Sequence, residues 1–240
     1  MKNNTFKKTR LTEQAYDRIR TMIISLELPP GFNIIEGQLE EQLSIGRTPI
    51  RDALQRLVAE NMLDSIPGRG FIVKSMSLDD VKALFETLMI FERVAVYLAA
   101  KRINKDQLKQ LHTINKKRKT AMKKKDTLTV TLLNSEFHQT IFKSTQNIFI
   151  QNALTSIHDQ VLRMGYLCYS EKNRSEDISK YEEDAMKDHE LILKSFEEGD
   201  GEKAIDIMTE HIHRFYQQIC SYIGPSIDPL SLFLHTPNIL

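Results

Sequence analysis

Residues 77–222 contain no proline. A stretch of that length can be broken only by glycine and short polar turns, because proline is the residue that removes a backbone N–H and clashes with the preceding helical turn. Four of the seven prolines lie in residues 1–76, and the other three lie beyond residue 223. The chain therefore divides near residue 76. A turn-rich part of residues 1–76 precedes a long, helical part of residues 77–240. At 240 residues there is room for two such domains, each with its own core.

In the first part, Ala15, Ile19, Met22, Ile23 and Leu26 form a helical stripe over residues 11–28, and Pro29-Pro30-Gly31 stops it. A short helix is predicted over residues 36–43, followed by the tight turn Ser44-Ile45-Gly46. A third helix opens at Arg47-Thr48-Pro49-Ile50-Arg51. Thr48 is placed to cap it and Pro49 to take its first position, where a missing N–H costs nothing. Ile50, Ala53, Leu54, Leu57 and Val58 share one buried face, leaving Arg51, Gln55 and Arg56 off it. Apolar runs at 63–66 and 71–73 flank the hairpin turn Pro67-Gly68-Arg69-Gly70.

Helix, helix, turn, helix, hairpin is the order of a winged helix-turn-helix, so residues 1–76 are expected to bind double-stranded DNA. A recognition helix enters the major groove by its N-terminal end. Arg47, Thr48 and Arg51 stand there, Arg56 lies farther along the same helix, and Arg69 sits at the hairpin tip.

Charge narrows this further. Lys plus Arg is 33 and Asp plus Glu is 32, a net charge of +1, which excludes a globally basic nucleic-acid coat. Residues 1–76 hold 11 basic against 9 acidic side chains, so a few placed arginines must do the reading. Residues 101–125 hold 11 basic side chains and one acidic one. We read that segment as a solvated helix face over Leu108, Leu111, Ile114 and Met122. Two cysteines imply no disulfide framework, no apolar run reaches the ~20 residues of a membrane span, and residues 1–10 lack a signal-peptide core, so a cytoplasmic protein without membrane attachment is expected.

The second part reads as an all-α antiparallel bundle, making the whole chain mainly α. Ser77, Asn104, Asp126 and Asn147 mark helix starts, and Gly199-Asp200-Gly201 separates two further helices near 176–198 and 202–222. Residues 224–240 read as an irregular tail. Three histidines fall on inward stripes. His189 stands among Tyr181, Ala185, Ile192 and Phe196; His211 among Ala204, Met208, Ile212 and Phe215; His138 among Phe137, Ile141 and Phe142. Asn134 precedes His138 by one turn. Three inward imidazoles and an amide on three helices suit a metal site with positions left open. His213 faces away from His211, His112 and His235 read as surface, and His158 reads as the edge of a core face.

These motifs together resemble a known family. "LEEQLSIGRTPIRDALQRL" followed by "NMLDSIPGRGFIV" resembles the winged helix-turn-helix of GntR-type transcription regulators. "ERVAVYLAA", "NSEFHQTIFKSTQN" and "DHELILKSFEEGDGEKAIDIMTEHI" resemble its FadR-like (FCD) effector domain. The resemblance covers about residues 11–222. It implies a homodimeric, ligand-responsive regulator on a palindromic operator, with DNA contacts from Arg47, Thr48, Arg51, Arg69 and Gly70. It also implies a divalent ion, Zn or Ni, held by Asn134, His138, His189 and His211, with a small carboxylate effector on that ion. Two departures matter. Asn134 is neutral where many members have Asp. Leu88 stands where many have an Arg four residues before the Glu that matches Glu92. The second departure implies an effector that is less charged or held mainly by the metal.

Two other readings compete with the metal-assisted sensor. One is a regulator of the same layout without functional metal, binding an apolar or acyl ligand. The other is a metal-dependent hydrolase, which needs a carboxylate near the metal-bound water. The inward stripes of the three histidine helices are expected to offer none, and no catalytic residue is assigned.

Overall fold

The computed structural model describes residues 2–169 and 176–223. It divides into two compact units, Met1–Met76 and Ser77–Leu240.

The first unit runs α1 (Lys2–Ile24), β1 (Asn33–Ile34), α2 (Glu36–Leu43), α3 (Arg47–Ala59), β2 (Leu63–Ile66) and β3 (Gly70–Val73). Its core forms where α1 lays Ala15, Ile19 and Ile23 against Ile50, Ala53, Leu54 and Leu57 of α3; all seven are fully buried. Val58 is only partly buried. The helix α3 starts two residues earlier than its sequence suggests. Gly46, not Thr48, is the N-cap, and no side chain caps the end. Pro49 is therefore the third helical residue. It is tolerated because the first turn has no intrahelical acceptors for its N–H groups, and the first helical N–H to find one is Ile50 to Gly46 O.

The wing is a three-stranded antiparallel sheet of order β1-β3-β2. The strand β1 was not expected; two residues carry no readable period. Gly68 and Gly70 both have positive φ (74° and 84°), a conformation that a side chain would strain. The turn between them is what projects Arg69 outward.

The second unit is all-α: α4 (Leu78–Arg102), α5 (Lys105–Lys123), α6 (Thr127–Ser144), α7 (Ile148–Tyr169), α8 (Glu176–Glu198) and α9 (Gly201–Ile223). Four starts are set by the capping residues read from the sequence. Ser77 and Asn104 form complete capping boxes with Asp80 and Gln107. Asp126 accepts from the Thr129 N–H, and Asn147 accepts from Phe149 and Ile150. In the packing, α4 lies on α9 and α6, α5 on α6 and α8, and α7 on α6. Gly201 allows the α4–α9 approach, because a Cβ there would lie 2.5 Å from Cδ2 of Tyr97. No helix among the described residues is long and apolar enough to cross a membrane. Residues 224–240, read as a tail containing His235, lie outside the described residues.

Candidate functional site

Two places carry the expected residues, one in each unit. In the first unit, Arg47 and Arg51 project from the first turns of α3 with side chains 71% and 56% exposed. Thr48 is exposed beside them, and Arg69 is exposed at the wing, next to the half-buried Gly70. Glu36, at the start of α2, was not anticipated. Its two carboxylate oxygens lie 3.7 Å from Arg47 Nε and 4.0 Å from Arg51 Nε, so one acid steadies both arginines.

Arg56 does not belong with them. Its guanidinium stacks 3.7 Å from the Tyr16 ring centroid and bonds Glu13 and Glu60. Tyr16 in turn donates to Glu60. Arg56 is thus a clamp between α1 and α3, a better use of its charge than solvent because three partners, Glu13, Tyr16 and Glu60, are already fixed around it.

In the second unit, His138 (α6), His189 (α8) and His211 (α9) converge, with ligand atoms all within 4.8 Å of one another. All three are buried, and His189 is fully so. Their rings pack mutually at centroid distances of 5.1–5.5 Å, and Phe137 stacks on His189 at 3.9 Å. Each imidazole has an oxygen on its Nδ1. His138 Nδ1 lies 3.0 Å from Glu92 Oε1, His189 Nδ1 lies 3.2 Å from Asn115 Oδ1, and His211 Nδ1 lies 3.2 Å from Asp188 Oδ2. Carboxylate and amide oxygens only accept, so each Nδ1 carries a proton. The Nε2 of His189 is buried with no hydrogen-bond partner.

That orphan is costly by itself, and a cation bound by its lone pair would satisfy it. A histidine ligand backed on its other nitrogen by an oxygen is the usual construction of a metal centre. The donor set therefore fits a divalent ion that favours imidazole. Burial, the positive charge of Arg118 and the neighbouring histidines hold His189 well below the ordinary histidine value. Burial also lowers His211, outweighing the hydrogen bond to Asp188. Both are neutral, the form that binds metal.

Asn134, the fourth expected ligand, is half-buried and lines a cavity with His138 and His211. The cavity encloses about 600 Å³ of empty space, its open mouth included. Leu88, Val161, Ile212 and Phe215 make much of its wall apolar.

Several residues here differ from their sequence reading. His158 is not an edge residue. It is 2% exposed, its ring lies 4.6 Å from that of His138, and its Nε2 lies 3.6 Å from Glu92 Oε1. The histidine helices do carry an inward carboxylate, because Asp188 of α8 is buried and bonds both His211 and Arg214. Burial raises the Asp188 pKa, but the bonds from His211 and Arg214 prevail and hold it below the usual range. Both Asp188 and Glu92 back an imidazole and so serve the ligands. The basic segment is mostly the solvated face expected, but Arg118 is 4% exposed and lines the cavity. His112 is half-exposed and bonds Glu197, and His213 is partly exposed.

Residues 83–214 match the FCD domain, and residues 11–73 match the bacterial regulatory proteins of the gntR family. The chain is 26% identical over 220 residues to the HTH-type transcriptional regulator McbR of Escherichia coli, covering 88% of this chain and 96% of that one. It is 23% identical over 211 residues to the HTH-type transcriptional regulator YdhC of Bacillus subtilis, covering 88% and 89%. The solved structure of E. coli McbR/YncC shares the fold with a TM-score of 0.78 at 21% identity, over 89% of this chain and 99% of that one. A GntR regulator from a Rhodococcus strain gives a TM-score of 0.68 at 16% identity, over 87% and 96%.

Proposed function

Since the chain belongs to the gntR family of bacterial regulatory proteins and carries an FCD domain, we propose that it is a ligand-responsive transcription regulator whose helical unit senses a small carboxylate through a metal site. In this reading Met1–Met76 is the DNA-binding domain and Ser77–Leu240 the effector and dimerisation domain. The protein acts as a homodimer on a palindromic operator. Two copies present two recognition helices, and their spacing sets which half-sites can be bound together.

The observation that supports the sensor reading is the set of three buried imidazoles, each with Nδ1 engaged by an oxygen and with ligand atoms within 4.8 Å of one another, the His189 Nε2 being an orphan at 0% exposure. His138, His189 and His211 would hold the ion, with Asn134 at its edge. The ion would supply an electrophilic position for a ligand carboxylate oxygen. Glu92, Asn115 and Asp188 fix the tautomers and ring orientations, and the apolar wall excludes water. Ligand among the helices would favour one arrangement of the effector domain and so change the population of DNA-competent dimers.

At the DNA, Arg47, Thr48 and Arg51 enter the major groove, while Arg69 and Gly70 bring the wing to the backbone. An arginine bidentate to guanine discriminates by about 1–3 kcal/mol. Glu36 steadies the two α3 arginines until DNA replaces it. Hydrolysis is the weaker reading, since the carboxylates nearest the imidazoles are engaged as their hydrogen-bond acceptors and the family consists of regulators. The apolar wall is what favours the metal-free alternative, in which an acyl ligand fills the cavity.

Two measurements test this. Elemental analysis of the purified protein is expected to find about one divalent ion per chain, Zn or Ni; no ion and no rebinding would favour the metal-free regulator. In gel-shift competition against operator fragments, Arg51→Ala is expected to lose sequence preference while keeping its fold. Unchanged preference would remove α3 as the reading helix.

A further inference from the structure

We propose that Arg118 is the anion-binding side chain of the cavity, and that the ligand it takes is a small monocarboxylate with an apolar body. This rests on the metal-assisted sensor reading above and adds to it the residue that selects the ligand and the charge the ligand must carry.

The helix α5 shows why Arg118 is placed for this. Its buried residues are Leu111, Ile114, Asn115, Arg118 and Ala121, one face of the helix. Asn115 on that face backs His189. Arg118, one turn on, lines the same cavity as Asn134, His138 and His211. Its neighbours Lys116, Lys117 and Lys119 are exposed, so a basic residue was free to stay in water at this end of the helix and Arg118 alone turns in.

Charge balance fixes the ligand. Among the described lining residues, Arg118 is the one fixed cation, and Glu92 and Glu182 are the carboxylates. Glu92 is engaged by His138 and lies near His158. A divalent ion and Arg118 together bring three positive charges against those two carboxylates, leaving an excess of one, since Asp188 behind His211 is offset by Arg214. Buried charge is tolerated when it is neutralised, so a monoanion completes the site and a dianion overshoots it. The neutral Asn134 contributes to that excess. The remaining wall, Leu88, Val130, Val161, Leu162, Ile212 and Phe215, is apolar and suits the ligand's other end. A guanidinium offers a planar fork matched to a carboxylate. On this reading the cavity's positive charge comes from α5 and not from α4, where Leu88 stands.

The experiment uses the full chain loaded with Zn, with metal content measured on every sample, and reads binding by titration calorimetry and thermal unfolding. Butyrate, succinate, butylamine and inorganic phosphate are the probes. Wild type is expected to bind butyrate more tightly than succinate or phosphate and to ignore butylamine. Arg118→Met is expected to bind butyrate at least tenfold more weakly at unchanged metal content. Moving the cation across the cavity, in Arg118→Met/Leu88→Arg, is expected to recover part of the loss, which a merely structural role for Arg118 would not allow. Equal butyrate binding by wild type and Arg118→Met at full metal content would overturn the proposal, as would a preference for succinate or phosphate. Should Arg118→Met not fold, Arg118→Lys retaining and Arg118→Gln losing butyrate binding gives the same decision. Chains that take up no metal would instead sink the sensor reading, and the metal analysis reports that separately.

Discussion

Replacing His189 and Asn115 together by leucine should make the metal-free protein more stable while abolishing its response to metal. His189 is fully buried, its Nε2 has no partner, and the Nδ2 of Asn115 is likewise buried without one. Each such atom costs about 1–3 kcal/mol, whereas the single hydrogen bond between the two residues returns only about 0.5–1.5 kcal/mol. The stack of His189 on Phe137 offers about 0.5–1.5 kcal/mol more, which leucine partly replaces by burial. The balance favours the apolar pair by about 1–3 kcal/mol, or a rise of roughly 2–10 °C in a bundle of this size. Metal acts the other way. An ion at a hundredfold excess over its Kd stabilises wild type by about 2.7 kcal/mol and the variant not at all. The assay is thermal and urea unfolding of both proteins, in chelator and in Zn. A variant markedly less stable than wild type in chelator would refute the accounting, because the two polar groups would then be satisfied in a way the geometry omits. A wild type indifferent to Zn would refute the reason for tolerating them.

Three further outcomes follow from other contacts. The stability of the chelated protein should fall as pH drops below about 6.5, since His189 and His211 are held below that value and the unfolded chain alone takes up those protons; Asp188, also depressed, extends the loss further into acid. Urea midpoints at pH 5.5 and 7.5 measure this, and the slope should shrink in the His189→Leu/Asn115→Leu variant. Arg56→Ala should cost about 1–2 kcal/mol of folding stability, read by denaturant unfolding, with sequence preference on DNA intact, because its partners are Glu13, Tyr16 and Glu60. Gly201→Ala should cost about 1–3 kcal/mol, visible as a lowered Tm, since the new methyl meets the Tyr97 ring.

Much of the fold was legible because its boundaries are written in local chemistry. Ser77, Asn104, Asp126 and Asn147 each satisfy N–H groups that a helix start leaves open, and that requirement does not depend on tertiary structure. Where the sequence misled, the local signal was degenerate. Thr48 is a good cap residue, but Gly46 sits where the turn from α2 delivers the chain. The strand β1 exists only because β3 offers it an edge. Arg56 reads as a surface charge until α1 brings Tyr16 and Glu13 to it.

The candidate site divides the same way, but the residues that were missed share a signal. Histidines on apolar stripes are conspicuous, and the three singled out do converge. Their supporting residues stand on such stripes too. Glu92 follows Leu88 and Met89 on one face of α4, and His158 lies between Leu154 and Val161 on α7. Arg118 follows Leu111 and Ile114, and Asp188 follows Ala185; every one of these residues is buried. The lysine-rich segment disguises Arg118, the inward stripes of the histidine helices are read as holding no carboxylate although Asp188 stands on one, and His158 is read as the edge of a core face. A charged side chain at a helix-periodic core position is expensive, so it survives there only beside a partner or a ligand. Periodicity, applied to charges as strictly as to histidines, would have located the imidazoles' partners and the cation that faces the cavity. What it could not supply is which helix faces which. The oxygen on each Nδ1 comes from a different element, α4, α5 and α8, and that arrangement is what distinguishes a cluster of core histidines from a set of oriented ligands.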